Sequence, residues 1–362
     1  MAGIAVNALG HSDPHWVSAV ATQAGQLAHV SNYYHTSPGA TLARRLVESS
    51  KFADRAFFCN SGTEANEAAI KFSRKLAKTR AAPGGGPGAS ELVAFTSGFH
   101  GRTLGALSLT YKKQYREPFE PLIPGAHIIP FGDLATARAT IVKGKTAMVI
   151  VEPVQGEGGI NSATREFLLG LRSACDAAGA SLVFDEVQCG LGRTGKLWAH
   201  ELTDGLVPDM VTLAKPLANG LPIGAVLMRE HVAAAIAPGD HGSTFAGNPL
   251  ACAAANAVLD RLLAPGFLDN VVARGKQLKE GLEAALRGHP KFKEVRQVGL
   301  LVGAEFNDAQ VGPLVVACRE AGLLVISAGA GNVLRLVPPL IITKEDVDQA
   351  VAIIAKCQKA VV

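Results

Sequence analysis

The 362-residue sequence predicts an α/β fold, with a large unit built on a mostly parallel sheet followed by a smaller α+β unit. Three observations carry this. From residue 91 onward, short apolar runs alternate with helical patterns, the mark of strands joined by crossing helices. After residue 298 the character changes to brief strands and one closing helix. The length accommodates two such units and a sizeable core.

Taken in order, Met1–Asn7 reads as the middle of a strand or loop. It carries no signal peptide and no Arg- and Ser-rich transit segment, so the chain is expected to start abruptly, inside a domain. His11 and His15 stand four apart, but Pro14 between them disfavours a helix. Asn60-Ser61-Gly62-Thr63-Glu64 opens a helix, with Ser61 and Glu64 as a capping box and apolar residues recurring through Ala68, Ala69, Phe72 and Leu76. Residues 81–88, rich in Gly and Pro, read as a loop. Strands are expected over 92–96, 146–152, 181–187, 210–215 and 223–228. A long Ala-rich helix follows Gly247-Asn248-Pro249 and runs to about Leu263. Strands over 300–306, 323–327 and 333–336 and a helix over 344–359 complete the chain. The expected divisions are 1–45, 46–265 and 266–362.

A hydrophobic fraction of 48% and a charged fraction of 18% fit a soluble globular enzyme. The net charge of +4 is weak and spread out, which argues against nucleic acid. The longest apolar runs fall far short of a membrane span. Cys59, Cys175, Cys189, Cys252, Cys318 and Cys357 form no C-x-x-C pair and read as free thiols in a reducing compartment. The scattered histidines give no metal-ligand spacing.

Chemistry concentrates where apolar strands end in charge. Glu152, Asp185 and Lys215 each fall at the carboxyl end of a predicted strand, the rim where open parallel sheets bind ligands. The carboxylate and the amine would suit pyridoxal phosphate, whose ring nitrogen wants an acid and whose aldehyde wants a lysine as a Schiff base. The plainer reading is a pair of core strands whose terminal charges reach solvent. Ser61-Gly62-Thr63 offers a helix N-terminus to an anion, or is an ordinary cap. In Gly98-Phe99-His100-Gly101-Arg102, Phe99 could stack on a ring and Arg102 grip a carboxylate; a Gly-rich turn with a solvated arginine is the alternative. Arg335 is a charge inside an apolar strand and needs a partner, for which Glu157 is the candidate. The glycines beside Glu157 would leave it room to move. Ser243 and Thr244 could add hydroxyls to a phosphate.

Gly190-Leu191-Gly192-Arg193-Thr194-Gly195 matches G-x-G-x-x-G after a strand, with Asp209 near the offset of a ribose contact. This would make a nicotinamide oxidoreductase. Against it, no helical period follows Gly195, and Asp185-Glu186 would crowd a pyrophosphate with negative charge.

Taken together, the segments AGIAVNALGH, FFCNSGTEANEAAIKFSRK, GFHGRTLGALSLT, VEPVQGEGG, FDEVQCGLGRTGKLWAHE, PDMVTLAKPL, PIGAVL, GDHGSTFAGNPLACAAA and NVLRLVPPL resemble the class III (ornithine-type) pyridoxal-phosphate aminotransferases, of fold type I. SGTEANEAA, GFHGRTLGALS and GDHGSTF are most similar to members acting on N2-acetylornithine, and LRSACDAAGASLVFDEVQCGLGRTGKLWA and LAKPL resemble plant or algal forms. The resemblance implies transfer of the distal amine to 2-oxoglutarate, giving N-acetylglutamate 5-semialdehyde and glutamate. Ornithine and 4-aminobutyrate are the alternative amines. It implies that Lys215 binds the cofactor, Asp185 pairs with the ring nitrogen, Glu186, Val187 and Gln188 line the ring, and Phe99 covers it. Ser61, Gly62 and Thr63 would hold the phosphate, with Thr244 from the second subunit of a homodimer. Arg102 and Ser243 would contact acetylornithine, and Glu157 would mask Arg335 in one half-reaction. Residues 1–45 would be the remnant of a longer N-terminal segment that joins the small domain and the dimer contact. Plant or algal origin would place the protein in the mitochondrial matrix or chloroplast stroma; otherwise it would be cytoplasmic.

Overall fold

The computed structural model describes residues 1–81 and 88–361. The strands are β1 (Arg55–Cys59), β2 (Glu91–Phe95), β3 (Ala126–Ile129), β4 (Thr146–Val151), β5 (Val154–Gln155), β6 (Asn161–Ser162), β7 (Ser181–Asp185), β8 (Met210–Leu213), β9 (Gly224–Met228), β10 (Phe292–Val298), β11 (Leu301–Phe306), β12 (Ile326–Ala328) and β13 (Val333–Leu336). Seven form one sheet in the order β1-β9-β8-β7-β4-β2-β3. The pairs among β8, β7, β4, β2 and β3 are parallel, and β9 is antiparallel to both neighbours.

Every residue of β4, β7, β8 and β9 is buried. Their near-continuous apolar runs are what a sheet covered on both faces requires. Alternate side chains serve opposite faces. Val149, Val151, Leu182, Phe184 and Val211 join a core with the helices Arg165–Ala178 and Pro249–Leu262. Met148, Ile150, Val183 and Met210 join one with Ala65, Ala69, Phe72 and Leu76 of the helix Gly62–Arg80. A second, antiparallel sheet runs β10-β11-β13-β12 and carries its own core beneath the helices Phe267–Leu286 and Lys344–Cys357.

Several expectations need correction. Pro14 does not exclude a helix; it occupies the first turn of Pro14–Gln26, capped by Asp13, where a missing N–H costs nothing. His15 consequently points away from His11 and pairs with Asp260 at 2.8 Å. Ala2–Ala5 is a single helical turn, with Gly3, Ile4 and Ala5 at positive φ. β1, β3, β10 and the two-residue β5 and β6 lie outside the expected strands. Three of the seven residues of β10 (FKEVRQV) are charged, as suits a strand at a sheet edge, so it lacks an apolar run. The strand expected over 323–327 begins only at Ile326. The loop expected over 81–88 lies mostly outside the described residues. The helix Ser37–Ser50 crosses the expected division at residue 45. We keep the second division as a proposal, at Gly266, which has φ +77° between two helices.

Candidate active site

Because β8, β7, β4 and β2 run parallel, their carboxyl ends share one rim. Asp185 ends β7, Glu152 follows β4, Lys215 follows β8 and Phe99 follows β2. Asp185 is only 3% exposed. Its Oδ2 accepts from Asn66 Nδ2 and faces His100 Nδ1, each at 2.8 Å, and its Oδ1 accepts the Val187 N–H at 3.0 Å. Three partners leave one acceptor position on Oδ1. Glu152 is buried beside it, accepting the N–H of Phe99 at 3.0 Å and of Gly156 at 3.1 Å. Burial, with Asp185 adjacent, pushes Glu152 up to about 7 against the opposing pull of His100. Lys215 is largely buried, and loss of hydration lowers its ammonium pKa below the usual lysine range despite Asp185 and Glu152 nearby.

β1 delivers the chain to the same rim at the start of Gly62–Arg80. The Ser61 hydroxyl caps the Glu64 N–H at 3.3 Å. Glu64 reaches back to the Asn60 N–H, so the capping box closes one residue early. The N–H groups of Gly62 and Thr63 have no acceptor within the helix. A Cβ on Gly62 would sit 2.7 Å from Val187 Cγ1, so only glycine permits this approach. Thr63 Oγ1 lies 2.7 Å from Thr103 Oγ1.

Arg335 is wholly buried on β13, between Gly303 and Ile326. Its Nη2 donates to Glu157 Oε2 at 2.9 Å and its Nη1 to Gln188 Oε1 at 3.1 Å, while its Nε is buried without an acceptor. Glu157 Oε1 also accepts from Lys112 at 3.3 Å. Glu157 and Lys112 line a cleft of roughly 1180 Å³ between the two sheets. The glycines beside Glu157 do not give it room. Gln188 fills the space at Gly156, and the Ser97 carbonyl fills that at Gly158. Glu157 can therefore move only by side-chain rotation.

Arg102 is exposed, its guanidinium 3.5 Å over the Tyr115 ring and 5.7 Å from that of Phe99. Ser243 and Thr244 lie on an exposed loop with Tyr33 and Phe58 around a separate cavity. Ser243 Oγ accepts from Asn60 at 2.7 Å, next to the helix start. Glu186, expected against the ring, is corrected: it is fully buried on the opposite face, accepting from the Ala199 and His200 N–H groups and paired with His200 Nδ1. Strand alternation sends it away from Asp185. The G-x-G-x-x-G segment is likewise no nucleotide cradle. No α-helix opens at Gly195, where only a short 3-10 turn at Ala199–Leu202 follows, and the buried Arg193 donates to the Leu300 and Pro338 carbonyls. Asp209 is spent on Arg172 and the Leu182 N–H.

Asn66, His100, Lys112 and Tyr115 were not singled out from the sequence. Asn66 had a signal, a polar residue on the apolar face of a helix between Ala65 and Ala69. His100 sits inside a segment already noted, one residue after Phe99. Lys112 and Tyr115 carry no such mark.

The Aminotransferase class-III family model matches residues 1–358. The chain belongs to the class-III aminotransferases. It is 57% identical over 360 residues to the mitochondrial acetylornithine aminotransferase of Alnus glutinosa, covering 99% of this chain and 79% of that one. With the acetylornithine aminotransferase of Methanocaldococcus jannaschii it shares 47% identity over 96% of this chain and 85% of that one. Its fold superposes on the Toxoplasma gondii ornithine aminotransferase with a TM-score of 0.92 at 33% identity, covering 98% and 84% of the two chains. The N-acetylornithine aminotransferase of Stenotrophomonas maltophilia gives 0.84 at 38% identity, covering 99% and 89%.

Class-III aminotransferases depend on pyridoxal phosphate, and the residues present fit it. The glycine-floored helix start at Gly62 and Thr63 suits a phosphate. The last acceptor position on buried Asp185 suits a ring N–H, and Lys215 suits attachment. Among the described residues no cluster of His, Cys, Asp and Glu suits a metal, and no single helix is long and apolar enough to cross a membrane.

Proposed function

We propose that this class-III aminotransferase moves the distal amino group of N2-acetylornithine to 2-oxoglutarate, giving N-acetylglutamate 5-semialdehyde and glutamate. The observation that carries this reading is the masked arginine: Arg335 is wholly buried, paired with Glu157 at 2.9 Å, and retains an unused Nε. One site must take an amine whose reacting carbon carries no carboxylate and an oxo acid whose reacting carbon carries one. A guanidinium whose charge is paired, yet which keeps one N–H unused, suits that demand.

Bound pyridoxal phosphate supplies an electron sink for the carbon that carries the amine. The rest belongs to the chain. Asp185, fixed by Asn66 and His100, would hold the proton on the ring nitrogen. Lys215 Nζ, with its lowered pKa, would hold the cofactor and would take up the proton that leaves the substrate carbon. Gly62 and Thr63 would hold the phosphate, Val187 and Phe99 would flank the ring, and Gln188 steadies Arg335. Arg102 holds the α-carboxylate of the amine substrate.

Borohydride treatment of the loaded protein should fix the cofactor on Lys215, read by peptide mass. Comparing kcat/KM for acetylornithine, ornithine and 4-aminobutyrate should place acetylornithine first. The close fold match to an ornithine aminotransferase makes ornithine the second reading, and a preference for 4-aminobutyrate would overturn both.

We further infer a homodimer with shared sites. Tyr33 is 90% exposed and Phe245 65% exposed, beside Ser243 and Thr244, and none of these residues lines the cleft of Glu157 and Lys112. Mixing Lys215→Ala and Thr244→Ala subunits should restore activity through one intact site, and an active monomer would refute it. Buried free thiols and the mitochondrial plant relative support a reducing organelle matrix, testable by imaging a tagged chain.

A further inference from the structure

The Glu157 carboxylate is held by two cations. Its Oε2 meets Arg335 at 2.9 Å and its Oε1 meets Lys112 at 3.3 Å. Arg335 cannot follow a substrate, since it is buried in mid-strand and tied to Gln188. The backbone at Glu157 cannot follow either. Its carbonyl accepts the Gly329 N–H at 2.9 Å, and the glycine spaces beside it are filled. Only the two exposed-end side chains, Lys112 and Glu157, are free to rearrange. Their side-chain exposures are 28% and 24%.

We propose that Lys112 is a positioning residue for substrate exchange, the second seat that holds Glu157 while Arg335 binds the carboxylate on the reacting carbon of the dicarboxylate substrate. The inference rests on the aminotransferase reading given above. Charge bookkeeping supports it. When a second carboxylate reaches Arg335, two anions and one cation would share the base of the cleft. Lys112 makes this two and two. A displaced Glu157 without Lys112 would be a partly desolvated, unpaired charge facing another carboxylate. Of the cleft's other cations, Arg296 is bound by Glu294 and Glu305 and Lys293 by Glu305, while Lys113 lines the cleft without a bond to Glu157 among the described residues. Lys112 also stands 5.6 Å from the Tyr115 ring that carries Arg102, so one short segment touches both carboxylate positions.

The test is single-turnover kinetics on the pyridoxal-phosphate-loaded protein, each half-reaction measured alone. Lys112→Met should raise the concentration of 2-oxoglutarate needed for half-maximal rate about tenfold. The acetylornithine half-reaction should stay within about twofold. Binding of glutarate, a dicarboxylate with no keto group, should weaken by the same factor in calorimetry. Lys112→Arg should restore both. In a Glu157→Gln background, Lys112→Met should add nothing, because no displaced anion needs a seat. Persistence of the full effect there would mean that Lys112 touches the substrate itself and would overturn the proposal. Equal losses in both half-reactions, or no loss, would also overturn it. A wild-type protein inactive with both substrates would instead refute the aminotransferase reading.

Discussion

His100 Nδ1 lies 2.8 Å from Asp185 Oδ2, with both side chains almost wholly buried. The same oxygen accepts from Asn66, so two elements far apart in sequence clamp one carboxylate at the end of β7. An acid that must face a ring nitrogen without rotating needs such a clamp.

His100→Ala should therefore loosen Asp185 and lower the affinity for pyridoxal phosphate about tenfold. It should cost the cofactor-free protein about 1–3 kcal/mol of stability through the unsatisfied carboxylate. Asn66→Ala acts on the same oxygen, so the double variant should deviate from additivity. Cofactor titration and urea unfolding measure both; unaltered cofactor affinity in both single variants would refute the clamp.

Glu186 makes the opposite prediction. Its carboxylate anchors the turn at Ala199 and His200 and faces away from the rim. Glu186→Gln should destabilise by about 1–3 kcal/mol. Cofactor affinity should stay within about twofold, since no contact with the rim is lost. A large loss of affinity at unchanged stability would return Glu186 to the cofactor site.

Gly62→Ala places a methyl 2.7 Å from Val187 Cγ1. Overpacking of this kind costs about 1–3 kcal/mol and should displace the Val187 side chain, which the proposed function sets against the ring. Adding Val187→Ala should recover stability. Recovery without improved cofactor binding would show that Val187 itself is needed against the ring.

Two buried groups give the cofactor-free protein opposite pH slopes. Glu152 titrates at about 7 when folded, against 4.5 unfolded, so between these values the folded chain holds the extra proton. Stability from this group falls as pH rises through that window, and Glu152→Gln should flatten the fall. Lys215 titrates below 10.5 when folded, so above its folded value the unfolded chain holds more protons. Stability from this group rises as pH climbs toward 10.5, and Lys215→Met should remove the rise. Urea unfolding in steps of pH reads both, and slopes unchanged by the substitutions would contradict the assignment.

Much of the fold was legible because buried parallel strands write themselves as apolar runs. Thr146–Val151, Ser181–Asp185 and Met210–Leu213 stand where the pattern placed them. The rim residues Glu152, Asp185 and Lys215 were legible for the same reason: each is an ionic group at the end of such a run. Glu186 was misplaced by reading proximity in sequence as proximity in space, although strand alternation separates neighbours.

By itself, the sequence determined which strands form, which end of each carries charge, and the helix cap that meets them. Those properties are local, set by hydrophobic period and by the side chains at each turn. Only the tertiary structure decided the partners: that His100 and Asn66 converge on Asp185, that Gln188 occupies the space beside Gly156, and that Glu157 stands between Arg335 and Lys112. Such pairings join residues far apart along the chain, and a buried charge takes whichever partner the packing of separate elements brings within reach.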